Sequence, residues 1–231
     1  MSTYKRETEY IKLLASREHT VKELAEKLFV SEATVRRDIC ALKEKEILSS
    51  KNGVVSLRVS FSDKRIPLFI RETEQNEEKK IIALRASKEV KDGDVVMLDA
   101  STTAYHMLPH LAKLKNIILI TNGAKTAIDA AAMGIKTICS GGEMTLESFS
   151  YVGTDAESVL RRYNADVAFF SCRGVTDAGI VTDSSILENS MRRIMIENAE
   201  RSFLLADKSK LGKKHIHTLC HTRELDGVIS E

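Results

Sequence analysis

Two adjacent arginines supply the first chemistry in this chain. Arg36 and Arg37 sit in Ser31-Glu32-Ala33-Thr34-Val35-Arg36-Arg37-Asp38-Ile39. A guanidinium is a planar fork of donors that fits the acceptor edge of a guanine or two oxygens of a phosphate. Val35, Ile39 and Leu42 recur at i, i+4 and i+7, so they share the buried side of a helix. Arg37 stands about 200° round the helix from Val35 and points outward, as does Thr34. A hydroxyl and guanidinium forks near a helix start are the equipment for entering a major groove. Ser31 caps this helix and is placed to touch phosphate. The competing reading is a solvated arginine pair bridged to Asp38 or Glu32.

A second set of residues suits an anionic, hydroxylated ligand. Asp99-Ala-Ser101-Thr102-Thr103, Thr121-Asn122-Gly123, Gly141-Gly142, Ser171-Cys-Arg-Gly174 and Asp207-Lys-Ser-Lys210 each follow an apolar run. Ser101, Thr102 and Thr103 also open a helical stretch, where free backbone N–H groups attract phosphate. Lys210 supplies a counter-charge. Asp99, Asn122 and Glu188 are candidates for sugar hydroxyls. An ordinary helix cap after an ordinary strand would look the same.

The elements that must position these groups fall into two blocks. In the first, a helix over Tyr4–Ser16 buries Ile11 and Leu14. Thr20-Val-Lys-Glu23 is a capping-box pattern that opens a second helix, with Leu24, Ala25 and Leu28 inward. Thr20 joins the DNA-contact candidates from this start. Phe29-Val30 makes a tight turn, and the Arg36-Arg37 helix runs to about Glu46. Two caps eleven residues apart predict a helix-turn-helix. Asn52-Gly53 between strand-like runs predicts a hairpin, hence a wing, with Lys51 at its tip and Arg58 on its second strand as phosphate contacts. Charge supports this division. Residues 1–58 hold 12 Lys/Arg and 9 Asp/Glu, while residues 59–231 hold 23 and 24, so the basic excess belongs to the first block.

A polar stretch containing Pro67 separates the blocks. Beyond it lies a helix over about Glu74–Val90, with Ile81, Ile82, Leu84 and Ala86 partly inward. Apolar strands at Val95–Leu98, Ile117–Ile120, Ile135–Cys139, Asp166–Phe170 and Phe203–Ala206 then alternate with helices. Those helices are Thr102–Leu111 (interrupted by Pro109), an alanine-rich run to Met133, and about Ser185–Glu200. Continuous apolar strands between helices predict a mostly parallel sheet covered on both faces. Ligands of such sheets sit beyond the strands' carboxyl ends. The expected organisation is residues 1–59 as a winged helix-turn-helix, 60–75 as linker and 76–231 as an α/β effector and oligomerisation domain.

The stretch Thr20-Val-x-Glu-Leu-Ala-x-x-Leu-x-Val-Ser31-x-x-Thr34-Val-Arg-Arg-Asp38-Ile-x-x-Leu42 resembles the DNA-binding domain of the DeoR family of bacterial transcriptional repressors. Asn52-Gly53 stands where that family usually has two glycines. The rest of the chain is similar to the same family's effector domain. Its D-S-G-T-T corresponds to Asp99-Ala-Ser-Thr-Thr103, with Ser101 replacing glycine. Thr121-Asn122, Gly141-Gly142, the later glutamate Glu188 and Asp207-Lys-Ser-Lys210 also match. The resemblance implies a fold shared with ribose-5-phosphate isomerase and glucosamine-6-phosphate deaminase, and a phosphorylated-sugar ligand. It implies operator DNA as partner, no cofactor, and a homodimer or homotetramer gripping repeated half-sites.

Other readings are weaker. A sugar-phosphate isomerase or deaminase would need a general base, for which Glu188 or Asp177 could serve. Alternatively, the large domain only oligomerises. His215-x-His217-x-x-Cys220-His221 puts two histidines on one strand face but fits no standard zinc spacing, so no metal is expected. Pro109 spoils a shared face for His106 and His110. Cys172 lacks a base partner and reads as a buried small side chain. Cys40, Cys139, Cys172 and Cys220 show no CxxC spacing and read as reduced thiols. No apolar run approaches 18 residues and the start has no apolar signal core, so a cytoplasmic protein without membrane contact is expected.

Overall fold

The computed structural model describes residues 6, 9–10, 13–14, 17–44, 47–57 and 76–231. Ile11, Arg58, Pro67, the expected linker and the end of the arginine helix beyond residue 44 lie outside them. The chain divides into two compact units, Met1–Glu74 and Gln75–Glu231.

In the first unit, helix α1 (Val21–Leu28) opens on the expected capping box. Thr20 Oγ1 accepts from the Glu23 amide at 3.2 Å, and Glu23 Oε2 accepts from the Thr20 amide at 2.7 Å. These bonds, the Thr20 amide foremost, pull the Glu23 carboxyl down from 4.5 to about 2. The helix ends at Phe29, which is left-handed at φ 53° and 94% exposed. Ser31 Oγ then accepts from the Thr34 amide and starts α2 (Glu32–Glu44). Strands β2 (Leu48–Lys51) and β3 (Val54–Leu57) form the wing, turning through Asn52 and Gly53, both at positive φ as a tight two-residue hairpin requires. A short strand β1 (His19–Thr20) pairs with β3 and makes the wing three-stranded.

Tyr10, Leu14, Leu24, Leu28, Val35, Ile39, Leu42, Leu48 and Val55 make one core beneath these elements. Asp38 is buried beside it. Its carboxylate accepts from Arg6 Nε at 2.9 Å and from the Tyr10 hydroxyl at 3.2 Å.

The second unit is built on a six-stranded sheet. Its strands are β4 (Val95–Leu98), β5 (Ile118–Thr121), β6 (Lys136–Cys139), β9 (Ala165–Ser171), β12 (Ala199–Leu205) and β14 (Gly227–Ile229), in the order β14-β12-β9-β4-β5-β6. All five pairings are parallel. From β4 the chain builds to one side through β5 and β6, then crosses to β9 and builds to the other. The order therefore reverses between β4 and β9, which is where open α/β sheets form a ligand crevice.

Alternate residues of each strand serve two cores. Val96, Leu98, Leu119, Phe169 and Leu205 pack under α3 (Asn76–Ala86) and the short α4 (Thr102–Tyr105) and α5 (Leu108–Leu111). Helix α6 (Ala124–Ala132) contributes Ala130 to that side. Met97, Ile120 and Ala168 pack against Leu160 of α7 (Gly153–Leu160) and against Met191, Ile194 and Met195 of α8 (Ile186–Glu197).

Three details depart from expectation. Helix α3 ends at Ala86 in a 3-10 turn, Ser87–Glu89. Strand β14, three residues long, has no counterpart among the expected strands; in α3, Ile82, Ala83 and Ala86 take the inward phase, and Ile81 and Leu84, expected partly inward, are about half exposed. Two small antiparallel sheets also appear, one of β7 (Glu143–Met144) and β8 (Tyr151–Val152). The other joins β10 (Gly174–Val175), β11 (Ile180–Asp183) and β13 (His217–His221). Among the described residues no helix is long and apolar enough to cross a membrane.

Removing the Asp38 carboxylate leaves the buried Tyr10 hydroxyl without its acceptor. Asp38→Ala is expected to lower stability by about 1–3 kcal/mol. Denaturant unfolding of the full chain checks this, and a change below about 0.5 kcal/mol would show that the bond contributes nothing.

Candidate DNA-reading surface and effector site

The two arginines of α2 differ. Arg36 Nη2 lies 3.3 Å from Glu32 Oε2, one turn back, in an exposed pair. Such pairs contribute only about 0.3–0.5 kcal/mol and are readily exchanged for another acceptor. Arg37 is exposed and makes no side-chain hydrogen bond or ion pair among the described residues. Asp38, a candidate partner for either, is turned inward to Arg6 and Tyr10. Thr34 is half-buried, with Oγ1 2.9 Å from Ser31 Oγ, so both hydroxyls belong to the helix cap. Thr20 is likewise engaged by Glu23, through Oγ1 as well as its amide. Lys51 is exposed where the wing turns.

In the second unit, the ends of three strands and one helix meet around Asp99. The Asp99 carboxylate is 1% exposed. Its Oδ1 accepts from the Ser101 amide at 3.1 Å; its Oδ2 accepts from the Ser171 amide at 3.2 Å and from Arg192 Nε at 2.9 Å. Arg192 Nη1 donates to Asp183 Oδ2 at 2.8 Å. Asp99, Arg192 and Asp183 are thus one buried ion triad that ties the ends of β4, β9 and β11 to α8. Burial alone would lower the Arg192 pKa, but Asp183 and Asp99 more than offset it and the pKa is raised. Burial likewise pushes Asp183 up, yet Arg192, then Arg173, and the amides of Ser185 and Ser184 hold it below its ordinary value. Asp99 was expected to meet sugar hydroxyls. Its oxygens are instead spent on the triad and on two amides, which makes it the group that positions the site.

Around this centre stand the other candidates. Ser101 Oγ caps α4 through the Ala104 amide at 3.2 Å, and Thr102 and Thr103 form its buried first turn. Their amides precede any intrahelical acceptor. Asn122 is fully buried, its Nδ2 donating to the Tyr151 carbonyl at 3.0 Å, while its Oδ1 has no partner among the described residues. Glu188 Oε1 accepts from Ser148 Oγ at 2.8 Å and Ser150 Oγ at 2.5 Å. Gly141 and Gly142 both have positive φ; a side chain on Gly142 would meet Ala156 Cβ and the Val152 carbonyl at 2.9 Å, so glycine lets this loop lie against the start of α7. Gly174 belongs to β10, where a Cβ would stand 2.5 Å from the Lys213 carbonyl, a packing reason for glycine. Lys210 is half-buried at the end of a 3-10 turn, Lys208–Lys210, capped by Asp207.

The sequence reading missed Asp183, Arg192, Ser148 and Ser150. Arg192 shares the inward phase of α8 with Glu188, Met191 and Met195, and a charge at an apolar phase is a signal that a buried partner exists. The residues set aside also find places. Burial pushes the Cys172 thiol up to about 12, so it stays protonated. Strand β13 begins at His217, so His215 precedes it and the two do not share a strand face as expected. Among the described residues no group of three His, Cys, Asp or Glu could hold a metal ion.

Residues 74–231 match the DeoR C terminal sensor domain, and residues 5–55 match an HTH domain. The chain belongs to the DeoR family and is an HTH-type transcriptional regulator. It is 34% identical over 218 residues to the HTH-type transcriptional regulator YulB of Bacillus subtilis strain 168, covering 91% of this chain and 81% of that one. It is 31% identical over 235 residues to the lactose phosphotransferase system repressor of Staphylococcus epidermidis strain RP62A, covering 100% and 93%. Among solved structures, eIF2B delta from Chaetomium thermophilum aligns with a TM-score of 0.52 and 14% identity. That alignment covers 69% of this chain and 57% of the other, and it speaks to the α/β fold alone.

Replacing Arg192 with an apolar residue of similar length strands two buried carboxylates. Arg192→Met is expected to destabilise the protein by about 3–5 kcal/mol. Urea unfolding checks this; a loss under about 1 kcal/mol would mean that the triad is not what holds these loops.

Proposed function

We propose that this regulator represses a carbohydrate-utilisation operon and is controlled by a phosphorylated sugar held at the carboxyl end of the parallel sheet. One observation carries the DNA half. Arg37 is an exposed guanidinium without a partner among the described residues, on a helix whose opposite side is packed into a core. In this reading Arg37 reads a base edge and Arg36 exchanges Glu32 for a phosphate. Thr34 contributes its methyl or hydroxyl, Ser31 and Thr20 lie at helix starts that face the backbone, and Lys51 reaches a phosphate from the wing. One such small unit offers limited contact area, so a homodimer or homotetramer grips repeated half-sites in the cytoplasm.

The sensor half rests on the Asp99 crevice. Thr102 and Thr103 present amides at the helix start that Ser101 caps, Lys210 supplies charge, and Asn122, Glu188 and the Gly141-Gly142 loop line the sugar. The candidate bases favour binding over turnover. Glu188 is held by two serine hydroxyls, Asp99 and Asp183 are spent in the ion triad, and Asp177 is an exposed turn residue. The ligand then biases one arrangement of the subunits, and by linkage DNA must alter ligand affinity by the same factor.

Arg37→Ala is expected to weaken specific operator binding by about 1–3 kcal/mol. A gel-shift titration with unchanged affinity would remove it from base reading. Lys210→Ala is expected to weaken phosphosugar binding at least about tenfold while ligand-free operator binding persists. Equal calorimetric affinities for the two proteins would take Lys210 out of the site.

A further inference from the structure

The loop after β9 carries a cation that the reading above leaves without a task. Arg173 follows Cys172, and its side chain is 21% exposed. Its Nε stands 3.8 Å from Asp183 Oδ1, beyond hydrogen-bond distance. Asp183 has no need of it: Oδ1 accepts from the Ser184 amide at 2.7 Å and the Ser185 amide at 3.2 Å, and Oδ2 accepts from Arg192. Among the described residues the Arg173 side chain makes no hydrogen bond. A guanidinium has five N–H donors, and taking them largely out of water is unfavourable unless another acceptor arrives.

One further cation, Lys210, and the imidazole of His215, whose pKa burial lowers, share this corner, where Val175 bridges to Leu211 and Gly174 lies against Lys213 and His215. Lys210 ends the 3-10 turn capped by Asp207, its own amide bonded to the Asp207 carbonyl at 3.0 Å. The His215 amide donates to Thr182 Oγ1 at 3.0 Å, which brings its ring under the influence of Asp183, Arg173 and Lys210 together. The acids near the cluster are Asp183, already shared with Arg192, Asp207, whose Oδ1 accepts from the Ser209 amide, and Asp177 at the rim near Gly212. Local charge therefore favours an incoming anion.

We propose that Arg173 is an anion-binding residue of the sensor site, a fork that together with Lys210 holds the phosphoryl group of the effector. This rests on the phosphorylated-sugar reading. A lysine ammonium is a point charge that attracts a phosphate without orienting it, whereas a guanidinium can bond two of its oxygens in parallel. Arg173 gives up only a long ion contact to do so, because Asp183 keeps three other donors.

The test is calorimetric titration of the full chain with a panel of pentose 5-phosphates, hexose 6-phosphates, their unphosphorylated parent sugars and inorganic phosphate. Arg173→Gln is expected to reduce affinity for the best-binding phosphosugar about 10- to 100-fold and to narrow its preference over the parent sugar. Arg173→Lys should recover part of that loss. Thermal unfolding of each variant confirms that it is folded. Affinity of the Gln variant within twofold of the parent protein, with Lys210→Ala still impaired, overturns the role of Arg173 alone. An unaltered chain that binds none of the phosphorylated compounds overturns both this role and the reading beneath it.

Discussion

The sensor unit depends on a buried charge arrangement at the reversal of its sheet. Asp99 and Asp183 flank Arg192, with all three side chains under 10% exposed. Pairs of this kind contribute little net stability, because desolvation consumes most of the attraction. Their effect is geometric. Each oxygen of Asp99 and Asp183 accepts from a named backbone amide or from Arg192, so the starts of α4 and α8 and the ends of β4, β9 and β11 are held to one guanidinium. A loop cannot shift without breaking a charged hydrogen bond in a medium that offers no water to replace it.

That rigidity explains why the neighbouring polar groups can be specific. Ser101, Asn122, Gly142, Ser171 and Glu188 sit on elements connected by short bonds, including the Gly123–Ser150 bridge and the Ser150–Glu188 contact. The corner with Arg173 and Lys210 is looser, since among the described residues the side chains of these two cations make no hydrogen bond. An ordered frame beside unsatisfied cations is the arrangement by which a small anion can alter a fold's local energetics without reshaping its core. In the DNA-binding unit the same division recurs at smaller scale. Asp38 turns inward to the Arg6–Tyr10 pair, and Arg37 one residue earlier stays outside.

Much of this was legible in order along the chain. The capping box at Thr20, the Ser31 cap and the Asn52-Gly53 turn appear where their residue types place them, because each depends on bonds within a few residues. Five of the six strands of the parallel sheet followed from apolar runs, and the break near Pro109 from a missing N–H; β14, only three residues long, did not. Less was legible where packing chose between neighbours. The periodicity leaves Ile81, Ile82 and Leu84 alike, whereas in the fold Ile82 is fully buried and Ile81 and Leu84 are about half exposed. The expectation that Asp99 meets a ligand failed to anticipate Arg192, because polar loops after strands look alike whether they face a ligand or an ion pair.

The sequence by itself determined the local framework: where helices begin, where the wing turns, which face of α2 is apolar, and that strands alternate with helices in a parallel sheet. These follow from bonds and periodicities spanning fewer than about ten residues. Only the tertiary structure decided which charges meet. Asp99 and Arg192 lie 93 residues apart, and Ser171 and Asp99 lie 72 apart. No local pattern links them, since their encounter requires the strand order to place β4 against β9 and α8 across their ends. For the same reason only folding could show that Asp38 is occupied from within, so that among the described residues Arg37 has no acidic partner while the equally exposed Arg36 pairs with Glu32.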